Sequence, residues 1–529
     1  MMKTNGTPEI SVLATYHEPS ANFNDPPCYV KFQVRGTNWQ TILTLPMKEF
    51  NANGIHAACA YVPSYSGKVR SAFDDKVLGS LVNGLRHGSV QRGYYLGRLG
   101  AVRFPDGHIC FVRGSELIGP CSRPVLINPE LSNIRLMRTK QNESLFQLVP
   151  LLLQSPPQAL LVLAFVIFSS IRSVLVESGF DPQAVLYIVG KQGLGKTTLA
   201  RRIAGIYECA GRTVGIIQAG ATHAAVNAAM ASLRDQAVII DDLCLSASRD
   251  TARKRVDLAS KLIRQGTGII PISKMIGNKI VELPCETSLI FTAEFALQNL
   301  SDISRCVIVP VQKQLNLPDE LTPMLIGDAV HFYSTWFCEH SEQELDHFQQ
   351  VINNRENSDM GTRIDINYSL MRASLQSLLH SLRDLGLPSD LEQVLSDRME
   401  MALSDAIQVH QNSIAHLKSQ FPVGNIAFCI LEGYRHGAFD LTSKIKRLSK
   451  HDGIVWKGDL CLRKDPLISF VRQQPGYQTW SSNKITRTLK DWNALVLQED
   501  NASTVHLTKD SPRVYRIRLN VLKDVAQQY

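Results

Sequence analysis

Residues Gly190 to Thr197 read Gly-Lys-Gln-Gly-Leu-Gly-Lys-Thr, after an apolar run at 184–189 and before a helical pattern opening Thr198-Leu199-Ala200. Glycines at this spacing let the backbone N–H groups of Gln192, Gly193, Leu194 and Gly195 curl around phosphate oxygens. Lys196 then reaches the β- and γ-phosphates, the Thr197 hydroxyl ligates Mg²⁺, and the helix that starts around Thr198 directs its positive end at the same phosphates. The chemistry this pattern serves is the binding of a nucleoside triphosphate, ATP with Mg²⁺. An ordinary glycine turn would require neither the strand before it nor the helix after it.

The remaining parts of a nucleotidase follow in the order they are needed. Arg234 and Asp235 precede Ala237-Val238-Ile239-Ile240-Asp241-Asp242, an apolar strand ending in two carboxylates. Asp241 is placed to hold Mg²⁺ through water, and Asp242 to orient or deprotonate the attacking water. A buried strand ending in a solvated acidic turn is the plainer reading of the pair taken alone. Thr292 closes the run Ser288-Leu289-Ile290-Phe291 and is a candidate polar sensor of the γ-phosphate, although threonine is also ordinary in strands. Arg305, just before the run at 306–311, is placed to reach a neighbouring subunit's nucleotide and stabilise the transferring phosphoryl group. The alternative is a surface arginine paired with Asp302.

These residues need a scaffold, and five short apolar runs supply it. The runs at 184–189, 212–218, 237–242, 287–292 and 306–311 alternate with helical segments, the pattern of a parallel sheet wrapped by helices. Between the acidic pair and the sensor strand, 250–265 reads as a basic helix and 268–281 as strand, turn, strand. Gly277-Asn278 suits a tight hairpin turn between Lys274 and Lys279, which are placed to touch nucleic-acid phosphates. A surface hairpin kept soluble by edge lysines is the other reading.

The chain of 529 residues is long enough for three to four domains. Its eleven cysteines include no CxxC pair, which argues against a zinc knuckle and a disulfide framework. The segment Met1-Met2-Lys3-Thr4-Asn5 has no apolar core of a signal peptide, and a cytoplasmic location is expected. Residues 144–171 carry no charge, but Pro150, Pro156 and Pro157 leave only 158–171 as about 21 Å of helix, short of a bilayer core. This segment is expected to be a buried helix under the nucleotide domain, with no membrane partner.

Charge is uneven along the chain. Residues 441–529 hold 16 Lys plus Arg against 8 Asp plus Glu, a surplus equal to the net charge of the whole protein, so a polyanion partner is sought there. The stretch 483–494 is an amphipathic helix with Ile485, Leu489 and Trp492 on one face and Lys484 and Arg487 turned away. Two apolar runs follow, 494–497 and 514–519, around a loop with Lys509 and Arg513. A basic helix followed by a hairpin with a basic tip is a winged form of the helix-turn-helix, which serves DNA binding or protein docking.

With these parts in order, the chain resembles the AAA+ helicases related to minichromosome maintenance proteins that prokaryotic mobile elements carry, such as those of staphylococcal cassette chromosomes and phages. The resemblance rests on Gly190 to Thr197, Ile239 to Asp242, Ala221-Thr222-His223-Ala224-Ala225-Val226-Asn227, the hairpin insertion, Ser304-Arg305 and the C-terminal module, with Arg98 to Val102 and Phe104 to Gly107 similar to the family's β-rich N-terminal region. It implies an α/β fold: an AAA+ P-loop core with a five-stranded parallel sheet, a β-rich N-terminal domain (1–140), an ATPase domain (141–325), a helical lid (326–440) and a winged helix (441–529). It further implies a homohexameric, ATP-driven DNA motor acting in replication of the element, with single-stranded DNA in the channel and duplex at the winged helix. Lys196, Thr197 and Asp241 would serve nucleotide and metal, Thr292 would be the sensor, Arg305 the trans-acting finger, and Lys274 with Lys279 the channel contacts; Arg372 is a weaker candidate for a second sensor. Asp242 departs from the Glu of many members, Cys306 from a frequent Phe, and no zinc-binding cysteine set is present. A nucleotide-gated regulatory or defence ATPase and a superfamily III initiator helicase remain as alternatives.

Overall fold

The computed structural model describes residues 9–20, 25–35, 39–62, 90–131, 133–140, 144–244, 249–268, 270–276, 279–297, 299–355, 362–420, 426–474, 477, 480–497, 502–509 and 511–527. Five strands form a parallel sheet in the order Ile216–Gln218, Ala237–Leu243, Ser288–Ala293, Val185–Gly190, Cys306–Val311. The chain is thus mixed α/β around a parallel five-stranded sheet. These strands read as nearly continuous apolar runs because helices cover both faces of such a sheet.

One of those helices, Gln158–Ser170, is buried at every position from Ala159 onward, as an apolar segment without a polar stripe must be. It packs against helices Lys196–Ala204 and Thr362–Asp384. Pro157 occupies its N-cap, and Pro150 lies inside the preceding helix Ser144–Gln154. Among the described residues, no helix is long and apolar enough to cross a membrane.

The strand expected at 212–218 is two strands instead. Ala210 and Gly211 both take positive φ, 51° and 76°, the twist a two-residue hairpin turn requires. Arg212–Thr213 therefore folds back on Tyr207–Cys209, which continues onto Ile134–Leu136. Gly215, at φ 80°, then redirects the chain, and only Ile216–Gln218 joins the core sheet.

Among the described residues, the N-terminal region holds two sheets. One has the order Gln40–Pro46, Tyr29–Arg35, Glu9–His17, Gln91–Leu96, Val125–Ile127; the other is Gly100–Arg103, Ile109–Arg113, Glu116–Ile118. The second is fastened to the core by a buried polar network. Arg113, 1 % exposed, donates to the carbonyls of Asp235 (3.0 Å) and Ser170 (2.7 Å) and to Ser334 Oγ (3.1 Å). The Asp235 carboxylate, also 1 % exposed, accepts from the N–H of Ala101 and from the N–H and hydroxyl of Ser173.

Contacts divide the chain into one unit of residues 1–297 and 301–410 and another of 298–300 and 411–529. In the second, a sheet has the order Gly453–Trp456, Asp459–Arg463, Arg513–Arg518, Val505–His506. The runs 494–497 and 514–519 meet antiparallel, as expected: Leu495 bridges Ile517, the Val496 N–H donates to the Arg516 carbonyl (2.9 Å) and the Arg518 N–H to the Ala494 carbonyl (2.8 Å). Val505–His506 continues that pairing onto Val514 and Arg513, and on its other edge Arg513–Arg518 pairs with Asp459–Arg463. Asn493 at φ 55° turns the chain out of helix Ser482–Asp491 into the first of these pairings. A second, tight hairpin lies upstream, where Lys457 and Gly458 (φ 51° and 84°) join Trp456 to Asp459.

Replacing Arg113 with Met leaves two buried carbonyls without their donor, a loss of roughly 3 kcal/mol. The urea midpoint of Arg113→Met should fall accordingly, and an unchanged midpoint would show that the network is not needed to hold the N-terminal sheet.

Candidate active site

Strand Val185–Gly190 delivers the glycine loop to the carboxyl edge of the sheet, and helix Lys196–Ala204 leaves it. Gly193 and Gly195 sit at φ 79° and 88°, backbone angles that a side chain disfavours. Gly190 answers a different need: a Cβ there would come within 2.2 Å of the Val311 carbonyl oxygen. The Leu194 carbonyl accepts from the N–H of Leu315 (3.1 Å), which pins the loop to the segment after the last strand. Gln192, Gly193 and Thr198 are exposed along this curve. With Gly195 as N-cap, no side chain caps the helix, so its first N–H groups are open to an anion. Lys196, 7 % exposed, arches back so that Nζ donates to the Lys191 carbonyl (2.7 Å).

Asp241 is the centre of the arrangement. It is 3 % exposed and four side chains donate to it. Thr197 Oγ1 and Thr292 Oγ1 donate to Oδ1, each at 2.7 Å. Arg201 donates to Oδ2 at 3.1 Å and Gln218 Nε2 at 3.3 Å. Burial alone would raise the carboxyl's pKa, but hydrogen bonds from Thr292, Thr197 and Gln218 and the charge of Arg201 together hold it below the usual carboxylate value. Such a buried carboxylate beside a threonine hydroxyl offers the hard oxygen donors that Mg²⁺ takes. Arg201 supplies positive charge at the same carboxylate.

Asp242 is set apart from its neighbour. The strand runs on to Leu243 through an irregularity in register, and Asp242 sits there at φ 65° with its side chain exposed. Its backbone N–H donates to Thr292 Oγ1 (3.0 Å). The Thr292 hydroxyl therefore bridges both acidic residues, giving a proton to Asp241 and accepting one from the Asp242 backbone.

The other sequence-derived residues lie elsewhere. Arg305 NH1 donates to Ser301 Oγ (2.6 Å) and to the Ser301 carbonyl, while Asp302 pairs with Arg264 (3.5 Å). Burial and the neighbouring Arg363 lower the pKa of Arg305. Arg372 forms a two-pronged pair with Glu400 (2.6 and 2.8 Å), tying helix Thr362–Asp384 to Ser389–Gln420. The hairpin Ile272–Ile276 with Lys279–Leu283 is formed, with Lys274 opposite Val281 and Lys279 opposite Ile276. Its turn at Gly277 and Asn278, and the side chains of Lys274 and Lys279, lie outside the described residues.

In the C-terminal unit, Ser481 caps helix Ser482–Asp491 by accepting from the Lys484 N–H (3.1 Å). Lys484 Nζ lies 4.0 Å from the Trp480 ring centroid, and Arg487 is 4.0 Å from Asp491. Ile485 and Leu489 are fully buried; Trp492, expected beside them on the helix, follows its end and packs partly buried against the same core. Lys509 is exposed in a turn. Arg513, expected in a loop, is in a strand with Nε donating to His506 Nε2 (3.2 Å).

Arg201 and Gln218 were not anticipated from sequence. Arg201 lies four residues after Thr197, on the same helix face, and Gln218 ends the strand beside Asp241 in register with it. The first spacing stands in the sequence; the second becomes readable only once the strand order is known.

Neither a protein-family model nor a curated protein matches the chain. Among solved structures it is similar to an active helicase, Cch of SCCmec type IV, with a TM-score of 0.57 and 14 % identity over 97 % of this chain and 94 % of that one. At that identity the likeness is one of fold, and it extends over nearly the whole chain. The apo C-terminal region of NrS-1 matches with a TM-score of 0.24 and 10 % identity over 70 % of this chain and 88 % of that one, too distant to carry an argument.

Thr292→Val removes the hydroxyl that bridges Asp241 and Asp242 and should lower stability at pH 7 by about 1–3 kcal/mol in urea unfolding, with Thr292→Ser restoring most of it. Valine as stable as threonine would mean that the bridge is not made in solution.

Proposed function

We propose that this protein is an ATP-hydrolysing motor that translocates on DNA as a ring of identical subunits. The observation that carries the reading is the convergence of Thr197 and Thr292 on the buried Asp241 carboxylate, directly beneath a glycine loop whose helix N-terminus is uncapped. An ATP phosphate chain fits where the loop N–H groups and Lys196 can surround it. On ligand binding, Lys196 Nζ exchanges the Lys191 carbonyl for phosphate oxygens. Thr197 Oγ1 and the Asp241 carboxylate would hold Mg²⁺, which neutralises charge on the β- and γ-phosphates.

Around that centre the chain supplies the rest. Gln218 keeps Oδ2 of Asp241 oriented, and Thr292 couples the carboxylate to the backbone of Asp242. The exposed Asp242 carboxylate accepts a proton from the attacking water at one of its oxygens. Arg305, which donates to Ser301 within its own chain, turns to a neighbouring subunit's γ-phosphate when subunits assemble. Lys274 and Lys279 contact single-stranded DNA in the channel of a hexamer, and Lys484, Arg487, Lys509 and Arg513 contact duplex phosphates on a C-terminal winged helix. The domain scheme of a β-rich region, ATPase core, helical lid and winged helix belongs to the same reading. Likeness of fold to an active helicase, Cch of SCCmec type IV, supports it; replication of a mobile element, which the resemblance in sequence motifs implies, is the setting of the same reading.

Subunit mixing tests the assembly. Arg305→Ala and Lys196→Ala proteins should each hydrolyse almost no ATP, yet mixed rings contain interfaces where an intact loop meets an intact arginine. A finger of this kind is worth about 10³ to 10⁵ in rate, so phosphate release should recover at intermediate mixing ratios. Absence of recovery, with sizing showing that subunits assemble and exchange, would place Arg305 outside the neighbour's site.

A further inference from the structure

The 3₁₀ helix Ile445–Lys450 covers one face of the C-terminal sheet. Its Ile445 and buried Leu448 pack with Ile454, Cys461, Val505 and Val514. Leu460, Leu462, Tyr515 and Ile517 of the same strands enter a different cluster with Ile485 and Leu489. Successive strand residues point to opposite faces, so the basic helix Ser482–Asp491 and the 3₁₀ helix lie on opposite sides of the sheet.

A 3₁₀ helix repeats every three residues with a rise of about 2 Å per residue. Arg447 and Lys450 therefore fall on one edge about 6 Å apart, Ile445 and Leu448 fall on another, and Lys444 stands just before them as the N-cap in extended backbone, its carbonyl accepting from the Arg447 N–H (2.9 Å). All three cations are exposed, and so is Lys446. Among the described residues none of the four forms an ion pair, and the nearby acids are engaged elsewhere. Asp440 holds His451, Asp452 accepts the Asp440 N–H, and Asp459 pairs with Arg516.

We propose that Lys444, Arg447 and Lys450 form a second contact surface for a nucleic-acid backbone, distinct from helix Ser482–Asp491. Exposed cations strung along one short segment suit an extended polyanion better than a small anion, which needs donors converging on one point. The row is about 12 Å long, and each strand of a duplex carries a phosphate per roughly 3.4 Å of axis, so three or four phosphates lie within its span. An anionic membrane fits less well, because binding in a lipid interface uses apolar side chains facing outward, whereas Ile445 and Leu448 are turned into the cluster. With one such surface on each side of the sheet, the module can touch two segments of backbone. Contacts of this type fix position and carry no sequence preference.

The inference rests on the DNA-binding role proposed above, and a salt series separates the two. Full-length protein carrying Lys444→Gln, Arg447→Gln and Lys450→Gln should bind a labelled duplex of arbitrary sequence with a slope of log K against log salt shallower by about 2 to 3, at roughly 0.9 for each phosphate left unneutralised. The weakening should be equal across sequences, and ATP hydrolysis without DNA should be unchanged. The charge-preserving pair Lys444→Arg and Lys450→Arg should keep the wild-type slope, and thermal unfolding of each variant reports on folding. A steep wild-type slope unchanged in the triple variant overturns this surface while leaving the motor reading intact. Wild-type protein that binds no DNA overturns both. Phosphatidylserine vesicles bound through these residues, with DNA binding unaffected, would reassign the surface to a membrane.

Discussion

A single buried carboxylate organises the core of this protein. Asp241 accepts hydrogen bonds from Thr197 and Arg201 on the helix after the glycine loop, from Gln218 on one neighbouring strand, and from Thr292 on the other. A carboxylate has room for about four such donors, so the site is saturated by groups from three different elements. Burying the charge is favourable only because it is satisfied so fully. The same saturation makes the site responsive, since any ligand that takes a donor away from Asp241 changes the contacts of a helix and two strands at once.

The strand that carries Asp241 is secured at its other end as well. Asp235, two residues before Ala237–Leu243 begins, receives Arg113 on its carbonyl, and its carboxylate binds Ala101 and Ser173. Arg234 adds a hydrogen bond to the Ala101 carbonyl. The N-terminal sheet Gly100–Arg103 is thus tied to the base of the strand whose tip bears the acidic pair. Asp235 itself sits at φ 52°, a conformation held by the network around it.

Much of this was legible in the sequence, and the remainder was hidden for identifiable reasons. The glycine loop could be read because its conformation depends on residues at fixed offsets, and the apolar runs could be read because a parallel sheet buries both faces. Thr292 followed from its place at the end of such a run. The run at 212–218 misled because Gly215 breaks it without altering its apolar character. In the C-terminal unit, the pairing of the run 494–497 with the strand Arg513–Arg518 could be read from two apolar runs flanking a polar loop. The upstream strand pair 453–456 and 459–463 was not read, because Lys457 takes a positive φ that a lysine does not announce. Arg201 and Gln218 reach Asp241 through tertiary proximity, and no spacing rule within one element reports that Gln218 and Asp241 are in register. Arg372 shows the converse, a residue whose position suggested one partner and whose geometry gives it Glu400.

The central claim is that Asp241, with Thr197, forms the metal-dependent nucleotide centre. It is tested most directly by titrating a fluorescent ATP analogue into wild-type protein and Asp241→Asn, each with and without Mg²⁺. Wild-type protein should gain affinity when Mg²⁺ is added, and Asp241→Asn should lose roughly 10- to 100-fold of that gain, the usual cost of altering a group that holds a metal through water. An equal Mg²⁺-dependent gain in both proteins would contradict the assignment of Asp241 to the metal.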